Sequence, residues 1–507
     1  MNNLLNGLKE STNLTYTVNG AVAYKSTLSK VYDLFCMGAA MRSSSEVEII
    51  KLFSDAYLEN PTLALKCLFY LRDCHGSGQG ERRFFRVVIK WLATNATKEM
   101  KNLIQYVPEY GRFDDWYSLV DTPCEKPMFA AMNKQFIEDM SGKTITLLGK
   151  WAASENCSSK EMRELGRKTR EALELTPREY RKMLSFLRKK INIVESLMSQ
   201  NRWNEIDFSK LPSRAGFLYR NTFIKREETK ERYEKFMTNS STKVNAKTLY
   251  PYDVVHSVQQ LWDRSWYGER YTLSFPVDSI ERKTINKYWS NLNNYFNEKS
   301  LNALIVADTS GSMISAYNKS NIAPIDVAIS LALYAAEHMN GPFKNHFISF
   351  SSRPQLIETV GVDFCDKVVR IYNQNLCENT NIEATFDLIL NTAIENHLSQ
   401  KDMPEHLIII TDMNFDASQA YNHRPLMENI ERKWRQVGYK MPKLVWWNVN
   451  ASLSDGNIPM KDKDGVTFVS GASPVIFDAI MTGKTGQTMM MDILNSERYQ
   501  AIQSIME

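Results

Sequence analysis

Asn302-Ala303-Leu304-Ile305-Val306-Ala307-Asp308-Thr309-Ser310-Gly311-Ser312-Met313 is the stretch that decides the fold of this 507-residue chain. Its apolar run, residues 303–307, ends abruptly in polar residues, which predicts a buried strand followed by a loop. The loop carries one carboxylate and two hydroxyls at alternate positions, Asp308, Ser310 and Ser312, and Gly311 allows a tight turn. Because Mg²⁺ prefers oxygen ligands, the stretch predicts either a divalent-metal loop or an ordinary Ser-rich turn.

Strand-like and helical patterns alternate after about residue 298. Strands are expected at 303–307, 346–350, 356–359, 406–411, 443–449 and 466–469, and helices at 324–339, 364–373, 382–396, 426–437 and 474–481. This alternation predicts a doubly wound, mostly parallel sheet with helices on both faces. Ligands bind such sheets beyond the carboxyl ends of the strands. We therefore expect five oxygen-bearing side chains to converge there: Asp308, Ser310, Ser312, Thr380 and Asp412.

The rest of the chain has helical spacing of its apolar residues. Residues 1–297 predict an all-helical domain of stacked helix pairs, similar to a HEAT-like solenoid. Residues 298–484 form the predicted sheet domain, and residues 485–507 a helical C-terminal tail. The expected fold class is therefore multidomain, α followed by α/β.

Two turns stand out in the helical half. The glycines of residues 76–80 follow a helix and lack the Gly-Lys-Ser/Thr of a phosphate loop, so a tight interhelical turn is favoured over nucleotide binding. We expect the charged residues around it, such as Arg72 and Asp73, to form local ion pairs. In the second turn, residues 110–116, Asp114 is the expected helix N-cap.

Composition indicates a globular protein: 43% of residues are hydrophobic and 24% are charged. No stretch approaches the length of a membrane span, and no signal peptide is evident, so neither membrane attachment nor secretion is expected. The seven cysteines are scattered without a Cys-x-x-Cys pair, which favours a reducing, cytoplasmic setting over a disulfide framework or zinc ribbon. A net charge of +4 permits nucleic-acid binding without requiring it.

Positive charge gathers between residues 160 and 235, where aromatic residues are interleaved. Basic side chains can contact phosphates while rings stack on bases. Acidic residues lie among them, so solvated helix faces are the competing interpretation. The candidate RNA-binding residues are Arg167, Lys168, Arg170, Arg181, Lys182, Arg188, Lys189, Arg214 and Arg220.

Across about residues 299–484 the sequence resembles a von Willebrand factor A domain. Asp308-Thr309-Ser310-Gly311-Ser312 matches the Asp-x-Ser-x-Ser motif of that family, and Thr380 and Asp412 fall where its second and third metal loops lie. The resemblance implies a metal-ion-dependent adhesion site. Asp308, Ser310 and Ser312 would bind the ion, Thr380 directly or through water, and Asp412 through water. An open coordination position would accept an oxygen, for example a carboxylate, from a protein partner.

The helical half resembles the TROVE module of the Ro autoantigen and its relatives, most nearly a Ro-like sister family that also carries an A-type domain. The residues that carry this resemblance are 69–73, 78–82, 110–115, 147–151 and 180–182. It implies a ring of helical repeats, closed by the A domain, that binds structured RNA outside and single-stranded RNA ends in a basic hole. The RNA contacts of that family form no compact motif, so the basic candidates here rest on charge alone.

Two functions therefore remain open. The first is a non-catalytic, monomeric Ro-like protein that binds single-stranded or misfolded RNA through its helical domain and a partner through Mg²⁺ or another divalent cation. The second is a metal-dependent protein–protein interaction scaffold without RNA binding. An enzyme is not expected, because the chain lacks His-Glu-x-x-His, Gly-x-Ser-x-Gly and P-loop motifs.

Overall fold

The computed structural model describes residues 12–264, 271–296, 301–315, 323–350, 353–374, 380–417, 425–453 and 456–504. It begins with an antiparallel hairpin, in which β1 (Leu14–Tyr16) pairs with β2 (Val22–Tyr24). Helix α1 (Lys30–Met37) starts after Ser29, whose side chain accepts a hydrogen bond from the Tyr32 amide. A 3₁₀ turn (Gly38–Ala40) and α2 (Glu46–Glu59) follow.

A long run of helices comes next. Its α-helices are α3 (Pro61–Arg72), α4 (Arg82–Asn95), α5 (Thr97–Leu103), α6 (Val107–Tyr110), α7 (Glu125–Ser141), α8 (Leu148–Trp151), α9 (Lys160–Ala172), α10 (Pro177–Ile191), α11 (Val194–Ser199), α12 (Ser213–Leu218), α13 (Arg220–Lys225) and α14 (Glu227–Thr238). Its 3₁₀ helices are Ile104–Tyr106, Phe113–Leu119, Trp203–Glu205 and Phe208–Lys210. Amphipathic spacing gives these helices their buried faces; on α10 the buried residues are Tyr180, Leu184 and Leu187. In the described part of the chain, no helix is both long and apolar enough to cross a membrane.

Helix α15 (Pro251–Gln259) precedes a second small antiparallel pair, β3 (Trp262–Arg264) and β4 (Tyr271–Leu273), and α16 (Ile280–Ser290). The described residues among the first 297 are thus mostly helical, as expected, and the two short strand pairs are the departure from an all-helical domain. Both strand pairs contain only three residues per strand. Such short strands carry too little alternation to be told from loops by sequence pattern.

The C-terminal region contains a six-stranded mixed sheet. Its strands are β5 (Ala303–Asp308), β6 (His346–Phe350), β7 (Gln355–Glu358), β8 (His406–Thr411), β9 (Lys443–Asn448) and β10 (Val466–Ser470), in the order β10-β9-β8-β5-β6-β7. Only the β6–β7 pair among them is antiparallel. The accompanying helices are α17 (Ser312–Ser315), α18 (Pro324–His338), α19 (Phe364–Tyr372), α20 (Ile382–Glu395), α21 (Leu426–Gln436) and α22 (Ile476–Ile480), with a 3₁₀ turn at Gln400–Asp402. The chain continues through α23 (Gly486–Leu494), a 3₁₀ turn (Glu497–Tyr499) and α24 (Gln500–Gln503).

The chain forms two compact units, and their boundary differs from the predicted one near residue 298. One unit contains Met1–Cys67 and Ala246–Ser496 and includes the six-stranded sheet. The other, which we call the helical unit, contains Leu68–Asn245 and Glu497–Glu507. The N-terminal residues belong with the sheet because α1 packs on its edge: the Phe468 amide donates to the Tyr32 hydroxyl at 3.0 Å. Helix α16 belongs with the same unit, because its Trp289 stacks on Phe364 of α19 with ring centroids 4.0 Å apart.

Buried ion pairs connect distant segments of the helical unit. Local ion pairs were predicted for Arg72 and Asp73, whereas the pairs described here for these two residues are long-range. Arg72 pairs with Asp115 at 2.8 Å, and both side chains are almost fully buried. The N-cap of the 3₁₀ helix Phe113–Leu119 is Arg112, not the predicted Asp114, and the Arg112 amide donates to the side chain of Asp115 inside this helix. A Cβ at Gly111 would lie 2.4 Å from Asp115 Oδ2, so only glycine fits beside this carboxylate. Asp73 pairs instead with Arg498 at 2.8 Å.

Asp326 forms a buried contact between α15 and α18. Gln259 donates to its Oδ1 at 2.7 Å, Tyr372 donates to the same oxygen, and His256 Nδ1 lies 4.0 Å from Oδ2. Burial, partly offset by these hydrogen bonds, raises the pKa of Asp326. A carboxyl group with a raised pKa takes up protons on folding, so its contribution to stability is present at low pH and lost as pH rises through the folded-state pKa.

We expect Asp326→Asn to flatten this decline. Thermal midpoints measured from about pH 4 to about pH 7 should fall less for this variant than for the wild type. Asp278→Asn, at a fully exposed aspartate, is the control and should follow the wild type. Parallel curves for the wild type and Asp326→Asn would contradict the assignment.

Candidate functional site

Four of the five predicted metal ligands lie at the ends of two neighbouring strands: Asp308 is the last residue of β5, Ser310 and Ser312 follow it, and Asp412 follows β8. β5 pairs in parallel with β8, and Ala307 lies opposite Ile410, so Asp308 and Asp412 come at the same edge of the sheet. The chain passes from β5 to β6 on one side, whereas β8, β9 and β10 lie on the other. This edge between β5 and β8 is therefore the switch point at which α/β sheets bind ligands.

Hydrogen bonds within the sheet edge orient Asp308. Thr411 Oγ1 donates to Asp308 Oδ2 at 2.6 Å, and the Ser310 amide donates to Oδ1 at 2.9 Å. The hydroxyl oxygens of Ser310 and Ser312 are 3.1 Å apart. Each carboxylate oxygen retains a second lone pair, so these bonds fix the Asp308 side chain without using all of its acceptor capacity.

The loop after β8 also holds the Thr380 segment. The Asp416 amide donates to the Thr380 carbonyl at 3.0 Å, and Thr380 is buried. Asn381 then caps α20 by accepting a hydrogen bond from the Ala384 amide. Residues 375–379 lie outside the described part of the chain. Backbone contacts thus connect the segments that carry Asp308, Asp412 and Thr380.

The electrostatics of this edge favour a cation. Asp308 and Asp412 are both fully buried, and burial together with the charge of Asp412 raises the pKa of Asp308 to about 7. The hydrogen-bond donors to Asp308 named above are uncharged. Among the described residues, no group of three or more His, Cys, Asp or Glu side chains could hold a metal ion. The predicted set instead combines two carboxylates with three hydroxyls.

Five of the nine predicted RNA contacts are engaged within the protein. Arg167 pairs with Glu164 and Glu171, Lys168 with Asp121, and Arg170 with Glu155. The pairs of Arg167 and Lys168 lie on the surface, whereas the Arg170–Glu155 pair is half-buried.

Arg188 and Arg220 are bound to main-chain carbonyls instead. The Arg188 guanidinium donates to the Gly149 and Ala152 carbonyls at 2.9 and 3.1 Å, and burial lowers its pKa. Arg220 is buried, donates to the Phe217 carbonyl at 2.8 Å, and lies over the Phe217 ring. Both residues join neighbouring segments of the helical unit. Arg214 is exposed in the first turn of α12.

The remaining three, Arg181, Lys182 and Lys189, are exposed on α10. In the described structure, none of them forms an ion pair within 4.0 Å, and the same holds for Arg178 on this helix. Arg178, Lys182, Phe186 and Lys189 recur at helical spacing and form one outward face, which we call the α10 stripe.

Sequence reasoning missed Phe186 as a candidate. Its side chain is 43% exposed, and the Lys190 ammonium lies 4.8 Å from its ring centroid. The spacing of 178, 182 and 186 was the available signal. Glu179, the one acidic residue of α10, is bound to Thr176 in a capping box, so its carboxylate already serves the start of the helix.

Comparison with known families finds two matches, and neither describes a function. Residues 302–503 match a domain of unknown function (DUF7788), and residues 17–107 and 151–300 match another (DUF2828).

One similar protein and one similar structure cover most of the chain. The chain is 29% identical over 521 residues to the uncharacterized protein L728 of Acanthamoeba polyphaga mimivirus, covering 94% of this chain and 86% of that protein. The crystal structure of the RO (RSR) protein of Deinococcus radiodurans aligns with 90% of this chain and all of that one, at 13% identity and a TM-score of 0.42. That likeness is too distant to carry a conclusion about function.

Proposed function

We propose that this is a non-catalytic RNA-binding protein whose helical unit contacts single-stranded RNA through the α10 stripe. The observation that carries the proposal is the exposed face of Arg178, Lys182, Phe186 and Lys189, a row of cations around an exposed ring. Phosphates attract such cations, and an exposed ring can stack on an unpaired base.

The charge of α10 supports a polyanionic ligand. The helix carries six basic residues and one acidic residue. Like charges at i,i+4, such as Arg178 and Lys182, destabilise an isolated helix by about 0.2–0.5 kcal/mol per pair. Only the basic residues of the last turn are favoured by the helix dipole. The stripe therefore has a small cost in folding that an RNA ligand would offset.

Neutralising the stripe should weaken RNA binding and its dependence on salt. The variant Arg178→Gln/Lys182→Gln/Lys189→Gln loses three phosphate contacts. A plot of log affinity against log salt concentration should therefore become less steep, its negative slope shrinking in magnitude by about 2, because each contact on a single strand contributes about 0.7. The measurement is fluorescence anisotropy of a labelled, mixed-sequence single-stranded RNA, with a stem-loop of equal length for comparison.

The matched control removes the same three charges elsewhere on the helical unit. Arg167→Gln/Arg202→Gln/Lys235→Gln changes exposed residues that are already ion-paired with glutamates. We expect it to bind RNA like the wild type. An equal loss in both triple variants would reduce the effect to net charge, and no RNA binding by the wild type at low salt would overturn the proposal.

Phe186→Ala isolates the stacking contribution. Loss of one stacked base should reduce affinity by about 1–3 kcal/mol, roughly 5- to 150-fold, and leave the salt slope unchanged. The same anisotropy titration measures it. An unchanged affinity would mean that the ring does not contact RNA.

A second candidate function, compatible with the first, is metal-dependent capture of a protein partner at the β5–β8 edge. The convergence of three loops, linked by the Thr411–Asp308 and Asp416–Thr380 hydrogen bonds, favours it. Asp308, Ser310, Ser312, Thr380 and Asp412 would hold Mg²⁺ or another divalent cation. A bound cation would supply a coordination position for a carboxylate oxygen of the partner.

The donor set fits such an ion. Two buried carboxylates that repel each other favour a cation between them, and hydroxyl and carboxylate oxygens are the ligands that Mg²⁺ prefers. If this function is correct, partners captured from an extract in Mg²⁺ should be released by EDTA. They should also be missing with Asp308→Asn. Capture of the same partners by the wild type in Mg²⁺, by the wild type in EDTA and by Asp308→Asn would exclude this second function.

A further inference from the structure

The N-terminal hairpin, residues 14–24, reaches the loop that follows β8. Thr17 Oγ1 donates to the Phe415 carbonyl at 2.6 Å, and the Asn19 side-chain amide donates to the Asn414 carbonyl at 2.7 Å. Gly20 forms an antiparallel bridge with Asp416. The turn of the hairpin therefore holds three successive residues, 414–416, just beyond Asp412.

The loop after β8 needs support from outside itself. Met413 has a φ of +66°, in the left-handed region that residues other than glycine rarely adopt. Its amide donates to Thr411 Oγ1, the same hydroxyl that donates to Asp308, and the Asn414 amide donates to Asp412 Oδ1 at 3.1 Å. Strained backbone of this kind persists only where surrounding contacts over-determine it.

The hairpin is itself well fixed. The Thr17 hydroxyl accepts a hydrogen bond from the Ala21 amide at 2.9 Å and donates one to the Phe415 carbonyl. The same oxygen therefore closes the turn of the hairpin and binds the loop after β8. Gly20, at φ +87°, lets the chain reverse between these contacts. At the opposite end, the Tyr24 amide donates to the Ile458 carbonyl and the Tyr24 hydroxyl to Glu428.

We infer that Thr17 and Asn19 are positioning residues of the metal site: they hold residues 414–416, and through them Asp412 and Thr380, in the geometry that binds a divalent cation. The inference rests on the proposed metal function. The contacts connect positions 398 and 395 residues apart in sequence. The N-terminal hairpin is thus part of the site although it contributes no ligand.

The test is Mn²⁺ affinity of the full chain, measured by electron paramagnetic resonance with Mg²⁺ as competitor. Thr17→Val/Asn19→Ala removes both side-chain bonds to the loop, and we expect its dissociation constant to rise about 10- to 100-fold, as for lost outer-shell partners. Thr17→Ser, which keeps the hydroxyl, should bind Mn²⁺ like the wild type.

The matched control removes two side-chain bonds from the base of the same hairpin. Asn13→Ala/Tyr24→Phe loses the Asn13 amide bond to the Ser26 carbonyl and the Tyr24 bond to Glu428. Its thermal midpoint should fall as much as that of Thr17→Val/Asn19→Ala, while its Mn²⁺ affinity stays unchanged. If the double variant folds poorly, Asn19→Ala against Asn13→Ala gives the same comparison.

The outcomes distinguish failure of the metal function from failure of the positioning role of the hairpin. No Mn²⁺ binding by the wild type would overturn the metal function itself. Binding by the wild type that is unaffected in Thr17→Val/Asn19→Ala, or equally reduced in the control, would overturn only the positioning role of the hairpin.

Discussion

Asp308→Asn should lose Mg²⁺ binding by more than about 100-fold, beyond the 10- to 100-fold typical of outer-shell changes. Asp308 is the fully buried carboxylate at the end of β5, and its orientation is fixed by Thr411 and the Ser310 amide. An amide of the same shape keeps one oxygen but removes the charge that a hard cation requires. Isothermal titration with Mg²⁺ measures the change.

The same substitution should have the opposite effect on stability when no metal is bound. Asp308 and Asp412 repel each other, so removing one of the two charges should raise the thermal midpoint in EDTA. In excess Mg²⁺ the order should reverse, because a ligand at 100 times its dissociation constant stabilises the wild type by about 2.7 kcal/mol. This crossing of midpoints distinguishes a metal ligand from a residue that merely supports the sheet.

Asp387→Asn is the control for this experiment. Asp387 pairs with Lys433 on the surface of the same compact unit, at 2.6 Å. Its neutralisation should change neither the Mg²⁺ affinity nor the difference between the midpoints in EDTA and in Mg²⁺. If Asp308→Asn behaves in the same way as this control, the β5–β8 edge does not bind a divalent cation.

The sheet and the convergence at its edge could be predicted because local pattern determines them. All six residues of β5 and of β8 are buried, and residues 303–307 and 407–410 within them are unbroken apolar runs that end in polar residues. The carboxyl ends of neighbouring parallel strands must meet, which is why Asp308 and Asp412 could be brought together without a structure. Whether a cation binds them stays a prediction.

Contacts between distant segments could not be read from the sequence. The hairpin that holds residues 414–416 uses three-residue strands, and its partners lie almost 400 residues away. Charge alone also does not distinguish a structural basic residue from one available to a ligand. Arg188 binds main-chain carbonyls, whereas Lys189 beside it is exposed on the α10 stripe. Only tertiary packing decides which basic residue faces inward.

Asp115→Asn is expected to have the largest effect on the stability of the helical unit. It would leave Arg72, which is 2% exposed, in the interior without its carboxylate partner. Removing one member of a buried ion pair costs about 3–5 kcal/mol, because the remaining charge stays in the interior after its counter-charge is lost. Arg86 would lose its bond to Asp115 Oδ1, and the Arg112 amide would lose its charged acceptor.

Asp114→Asn is the matched control, one residue away. Asp114 pairs with Arg86 and Arg112 nearer the solvent, so its loss should cost no more than about 1 kcal/mol.

Hydrogen exchange of peptides covering residues 61–120 measures the local stability of this region. It is the suitable method because a chain with two compact units need not unfold in a single two-state step. Exchange should accelerate roughly 10²- to 4 × 10³-fold in Asp115→Asn and less than about tenfold in Asp114→Asn, since 1.4 kcal/mol is a factor of ten. Equal acceleration in the two variants would mean that the buried position of the Arg72–Asp115 pair does not set the stability of this region.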